Sequence, residues 1–160
     1  MYLDKVIALD VGDARIGVAI SDALRITAQP LLTIRHSNGS AAEQLLAIFR
    51  EQKVSTVVVG IPLLLNGVVG EQAKKVMQFV DTLRKACEQS SYAITFLYWD
   101  ERLSTVAAER VIQGTKLRDS ERRASLDRVS AALILSAYLE SAPGTAGWTP
   151  PTGSSTAPTP

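Results

Sequence analysis

The chain has 160 residues, a hydrophobic fraction of 46% and a charged fraction of 21%, the profile of one soluble globular domain able to bury a core. Seventeen Lys and Arg against sixteen Asp and Glu leave a net charge of +1, which excludes a bulk polyanion binder and confines any nucleic-acid contact to a local patch. One cysteine and one histidine exclude an internal disulfide and zinc frameworks of the Cys/His type.

Two strand-like runs open the chain, Val6–Asp10 and Ile16–Ser21. The short connection Val11-Gly12-Asp13-Ala14-Arg15 makes them a hairpin. Leu31–Ile34, after the breaker Pro30, is expected as a third antiparallel strand. Ser40 is placed to cap a helix over about residues 41–52, whose apolar face is Leu45, Leu46, Ile48 and Phe49. Thr56-Val57-Val58-Val59-Gly60 is a continuous β-branched run, expected of a strand covered on both faces.

The loop Ile61–Gly70 follows, and then a helix over about residues 71–89 with Val76, Phe79, Val80 and Leu83 at helical spacing. Cys87 falls in this helix and reads as a small packed hydrophobe. Thr95–Trp99 is the fifth strand, followed by a helix over about residues 105–113 between the cap Ser104 and the stop Gly114. Residues 116–125 are expected as a charged connector. Residues 126–140 are expected as the last helix, with Ser125 near its start.

Three antiparallel strands followed by alternating helices and strands predict an α/β domain with a mixed five-stranded sheet, parallel in its second half and flanked by helices. The domain is assigned to residues 1–142. From Pro143 the sequence carries no charge and one large apolar residue, Trp148; residues 143–160 are expected as a disordered tail without core contacts. No apolar stretch is long enough to span a bilayer, and Met1–Lys5 shows no signal-peptide pattern. A cytoplasmic protein without membrane contact is expected.

Three acids stand at the ends or starts of buried elements: Asp10 closing the first strand, Glu101 after the fifth, and Asp127 opening the last helix. If the first strand is central and the fifth pairs beside it, all three meet at one edge of the sheet, where ligands of open α/β sheets bind. Such acids are costly to bury without a positive partner, and a hard divalent cation is a suitable one. Each acid also has an ordinary reading. Asp10 suits a turn, Glu101 could pair with Arg102 at the surface, and Asp127 could complement a helix dipole.

The blocks Leu9-Asp10-Val11-Gly12 with Arg15-Ile16-Gly17-Val18-Ala19, Val59-Gly60-Ile61-Pro62 with Gly67, Asp100-Glu101-Arg102-Leu103-Ser104-Thr105, and Asp127 with Ala131-Ala132-Leu133-Ile134-Leu135 together resemble the YqgF (RuvX-like) family of the ribonuclease H-like superfamily. The resemblance covers roughly residues 5–140. It implies a ribonuclease H-like fold and a metal-dependent nuclease that matures the 5′ end of precursor 16S ribosomal RNA. Resolution of Holliday junctions in branched DNA is the alternative. The family's acidic triad maps onto Asp10, Glu101 and Asp127, which would hold magnesium or manganese, two ions in all. Metal-assisted phosphodiester hydrolysis needs no histidine base, and His36 lies in a polar connector.

Three positions depart from the family pattern. Leu64 and Asn66 stand where a polar residue and an acid are frequent, and Arg128 follows the third acid where a small residue is common.

From Arg102 to Arg128 seven basic residues face four acids. Lys116, Arg118, Arg122 and Arg123 are the candidates for gripping phosphate, with a solvated polar loop as the ordinary reading. Arg15 suits either a phosphate contact or a structural ion pair.

Two other functions fit part of the pattern. Asp-x-Gly in a strand–turn–strand resembles the phosphate loop of actin-like and sugar-kinase ATPases, but the length allows one such domain and no Walker-type loop is present. A non-catalytic RNA-binding assembly factor would keep the fold without using the acids. Oligomeric state is not readable in this sequence.

Overall fold

A computed structural model describes residues 4–103, 119–141 and 147–151. The elements in chain order are β1 (Lys5–Val11), β2 (Arg15–Ser21), β3 (Ala28–Arg35), α1 (Ala41–Gln52), β4 (Val54–Ile61), α2 (Glu71–Gln89), β5 (Thr95–Asp100) and α3 (Asp119–Glu140), with short 3-10 turns at His36–Asn38 and Glu101–Leu103. The five strands form one sheet in the order β3-β2-β1-β4-β5. β1 pairs antiparallel with β2, and β2 with β3, while β4 runs parallel to β1 and β5 parallel to β4. The mixed α/β architecture follows the expectation, with β1 at the centre.

Alternation along β1 divides the core. Ile7, Leu9 and Val11 join Leu45 and Phe49 of α1 and Val76, Val80 and Leu83 of α2 on one face. Val6 and Ala8, with Ala19 and Val58, meet Ala131, Ile134 and Leu135 of α3 on the other. Asp10 has the parity of Val6 and Ala8, so it faces α3. Cys87 is buried in the first cluster, as a small hydrophobe should be. Ser40 caps α1 by accepting from the Glu43 N–H at 3.3 Å, which satisfies one of the donors a helix start leaves open.

Four expectations need correction. Pro30 lies inside β3, opposite Ala19 beside a register shift; β3 is an edge strand, where a missing N–H is tolerated. The last helix starts at Asp119, so Ser125 and Asp127 are interior to it. Its first turns carry Glu121, Arg122, Arg123 and Ala124, good helix formers without an apolar stripe, which is why the stretch reads as a connector. β4 stands between β1 and β5, so the strand that delivers Glu101 is not the neighbour of the strand that delivers Asp10. Finally, Trp148 packs against the α2-side core instead of floating in a tail. The helix expected over 105–113, the basic residues Lys116 and Arg118, and positions 142–146 and 152–160 of the tail lie outside the described residues.

Candidate active site

The sheet positions the acids through two glycines. Asp10 is paired with Gly17 on β2. On its other side, one step past the pair Leu9–Val59, stands Gly60 of β4. Gly17, Asp10 and Gly60 therefore form a row across three strands under α3. A Cβ on Gly17 would fall on the backbone carbonyl of Asp127, so the bare glycine is what lets α3 descend onto the sheet at that residue. A Cβ on Gly60 would fall on Oε1 of Glu101 and 2.6 Å from Cδ1 of Ile134. Gly60 thus leaves a gap through which Glu101, arriving from β5, crosses β4 and reaches Asp10. Glycine inside a strand commonly marks such a close approach.

Asp10 and Glu101 are hydrogen-bonded to one another, and both titrate high. Burial raises Asp10 most, and the charge of Asp127 adds to it. Burial also pushes Glu101 up, to about 9, helped by the charge and hydrogen bond of Asp10 and by Asp100. Two carboxyls buried against each other hold a proton more tightly than either would alone.

Asp127 is the third acid of the group, and its Oδ2 accepts from Arg15 Nε at 2.8 Å. Both side chains of this pair are about four-fifths shielded. Of the two readings open for Arg15, the structure shows the ion pair. As placed, no three His, Cys, Asp or Glu side chains among the described residues stand close enough to form a ready metal centre. The group has a cohesive pair, Asp10 and Glu101, and a third acid held by a guanidinium.

Arg102 pairs with the carboxylate that precedes Glu101 in the chain. It binds Asp100, with Nε at 2.9 Å from Oδ2, and its Nη1 donates to the carbonyl of Leu65 at 3.2 Å. The Arg102 guanidinium holds the Asp100 carboxyl below the usual carboxylate range. The latch ties the start of the 3-10 turn carrying Glu101 to the loop 61–70.

That loop is built as a tight turn. The Gly67 N–H donates to Leu64 O at 2.7 Å, and the Leu64 N–H donates to Val68 O at 3.0 Å; Gly67 takes φ +82°, the left-handed region that favours glycine. Leu65 at its apex is 97% exposed, and Leu64 and Val68 are also exposed. Sequence reading missed the roles of Gly17, Gly60, Asp100 and this apolar tip. The two glycines interrupting β-branched runs were the available signal.

Arg122 and Arg123 are exposed on α3, five and four residues before Asp127 and so roughly 6–8 Å from it along the helix axis. His36 is structural: its Nε2 lies 3.0 Å from the Gly12 carbonyl oxygen, and its ring stands edge-on to Phe79.

A protein from Roseiflexus sp. (strain RS-1), named as a candidate pre-16S rRNA nuclease, is 46% identical over 138 residues, covering 86% of this chain and 94% of that one. Its namesake from Thermoanaerobacter pseudethanolicus is 42% identical over 139 residues, covering 86% and 96%. Among solved structures, Thermus thermophilus RuvC in complex with a Holliday junction substrate superposes with a TM-score of 0.54 at 16% identity, covering 90% of this chain and 98% of that one; the fold is that of RuvC. The sequence profile of the RuvX family, described as Holliday junction resolvase, matches residues 4–141, and the protein belongs to that family.

Proposed function

We propose that this protein is a metal-dependent nuclease that hydrolyses phosphodiester bonds, with Asp10, Glu101 and Asp127 as its acidic centre. The observation that carries the reading is the meeting of Asp10 and Glu101 across Gly60, at the sheet edge beneath Asp127. A structural role would not require burying two carboxyls against each other, an arrangement that raises both.

The donor set consists of carboxylate oxygens, which suits a hard divalent ion, magnesium or manganese. Asp10 and Glu101 would hold it, at the place where their carboxyls meet and both titrate high, with Asp127 as the third acid; two ions are expected from the family resemblance. When bound, such ions supply a nucleophilic hydroxide at neutral pH and charge for the leaving oxygen.

The chain's own residues do the rest. Gly60 keeps Glu101 in reach, and Gly17 keeps Asp127 low over the sheet. Arg15 orients Asp127 through its Nε. Arg122 and Arg123, with Lys116 and Arg118, would draw the phosphate backbone toward the acids. The apolar tip at Leu64 and Leu65 offers a surface for bases rather than phosphates.

The relatives' names favour precursor 16S rRNA as substrate. The family description and the RuvC complex favour branched DNA as the second reading. No helix among the described residues is long and apolar enough to cross a membrane; action on nucleic acid in the cytoplasm is part of this proposal.

The test offers one preparation both a precursor rRNA and a four-way DNA junction, with magnesium, manganese or EDTA. Metal-dependent cleavage of either, lost in Asp10→Asn and Glu101→Gln variants that remain folded, supports the reading; cleavage that persists in those variants refutes it.

A further inference from the structure

β5 is an edge strand with β4 as its neighbour, so one row of its backbone groups faces away from the sheet. Residues 147–151 meet that row. The Trp148 N–H donates to the Tyr98 carbonyl at 2.8 Å, forming an antiparallel bridge. A Cβ on Gly147 would collide with the same carbonyl, so glycine is what allows the backbones to touch. The indole stands edge-to-face on the Tyr98 ring at 5.8 Å and packs on the core beneath α2.

The same short segment also borders the loop 61–70. Trp148, Thr149 and Pro151 line a groove of about 390 Å³ opposite Gly67, Val68 and Val69. The turn containing those residues is held at its apex by Arg102, next to Glu101. The segment therefore borders both supports of Glu101: the strand that leads into it, and the loop latched to its neighbour. Leu64, Leu65 and Val68 are exposed, so little burial backs the turn hydrogen bonds and the Arg102 latch that shape the loop tip, and a bordering segment can add to them. The segment lies beyond the residues matched by the family profile.

We propose that Gly147–Pro151 is a strap, and that Trp148 is a positioning residue that holds the 61–70 loop for nucleic-acid binding beside Glu101. The choice of ligand rests on the nuclease reading; the mechanical role of the strap does not.

The test compares the full chain with Trp148→Ala, with a chain ending at Ala142, and with Trp148→Phe. Amide hydrogen exchange is followed at Val68, Val69 and Leu97–Trp99, and affinity for a labelled four-way junction and a labelled single-stranded RNA is measured with calcium in place of magnesium. Trp148→Ala and the truncation should speed exchange at Val68 and Val69 by roughly tenfold. They should weaken binding by about 3–10-fold, because a loop ordered in advance must now be ordered on binding, and Trp148→Phe should restore both. Unchanged exchange at Val68 and Val69 overturns the strap. Faster exchange with unchanged affinity, in a chain that binds, overturns the positioning role and leaves an edge cap. If the intact chain binds neither nucleic acid, the nuclease reading fails, and exchange at Val68 and Val69 decides the strap alone.

Discussion

The shared proton of Asp10 and Glu101 makes stability without metal a sensitive readout of the site. Glu101 titrates at about 9 in the folded chain against an ordinary 4.5, so between those values the folded state binds a proton that the unfolded state has released. Stability from this group is complete below about pH 4.5. It is lost as pH rises toward 9, with a slope of at most about 1.4 kcal/mol per pH unit. From pH 5 to 8 the ceiling is roughly 4 kcal/mol, and relaxation and water entry around a partly exposed carboxyl reduce it to about 2 kcal/mol. For a domain of this size that is a fall of about 4–8 °C in Tm.

Asp10, raised by burial, titrates together with Glu101 as one pair, and the other shifted groups lie outside the window. Asp22 and Asp100 are held below the usual carboxylate range by their hydrogen bonds and titrate beneath it. Cys87, Tyr92 and Tyr98 are raised by burial and titrate above it. The assay is thermal unfolding in EDTA at several pH values. Saturating magnesium should flatten the slope, because its charge takes the proton's place, and Glu101→Gln should flatten it without metal. Wild-type stability that is level or rises from pH 5 to 8 in EDTA would show that the two carboxyls do not share a proton, and the argument for a metal site would lose its support.

Further outcomes follow from the geometry around the pair. Gly60→Ala places a methyl on Oε1 of Glu101 and against Cδ1 of buried Ile134; it should cost about 1–3 kcal/mol in urea unfolding through overpacking and lower cleavage by the folded protein by about 10²-fold, as for a catalytic group displaced by an ångström, and full activity would show that Glu101 does not work across β4. Arg15→Gln removes the charged partner of Asp127 and should cost about 1.5–3 kcal/mol in urea unfolding; adding Asp127→Asn should recover part of that loss, and strictly additive losses would mean that the pair is not coupled. Replacing Arg122 and Arg123 with Gln should lower the log–log salt slope of nucleic-acid affinity by about 0.7–0.9 per lost phosphate contact, while stability stays within about 0.5 kcal/mol; an unchanged slope removes the start of α3 from the binding surface.

How much of this was legible in the chain depended on whether the cause was local. The β-branched run at 56–60 and the alternation in β1 reported burial directly, so the sheet and its two core faces could be read. The three acids could be picked out because charge beside an apolar run is itself a local anomaly. How they meet could not, because it turns on strand order. With β4 placed between β1 and β5, a side chain on Gly60 would have separated Glu101 from Asp10, yet in sequence that glycine looks like a strand end.

The start of α3 and the strap were missed for related reasons. Arg122 and Arg123 have no apolar stripe because their turn of helix is exposed, so periodicity carries no signal there. Gly147 and Trp148 sit in a stretch whose composition reads as disorder, and their order comes from one backbone hydrogen bond and one ring contact with Tyr98 and from packing on the α2-side core. A single tryptophan beside a glycine is too short to show a period, but it is long enough to cover an edge. In both cases the missing information was the identity of a partner distant in sequence, and glycine marked the contact: Gly17 under Asp127, Gly60 under Glu101, Gly147 on Tyr98. In this protein a glycine in an extended segment is better read as the imprint of a neighbour than as a flexible joint, and the substitution that tests each contact is the smallest one available, a methyl group.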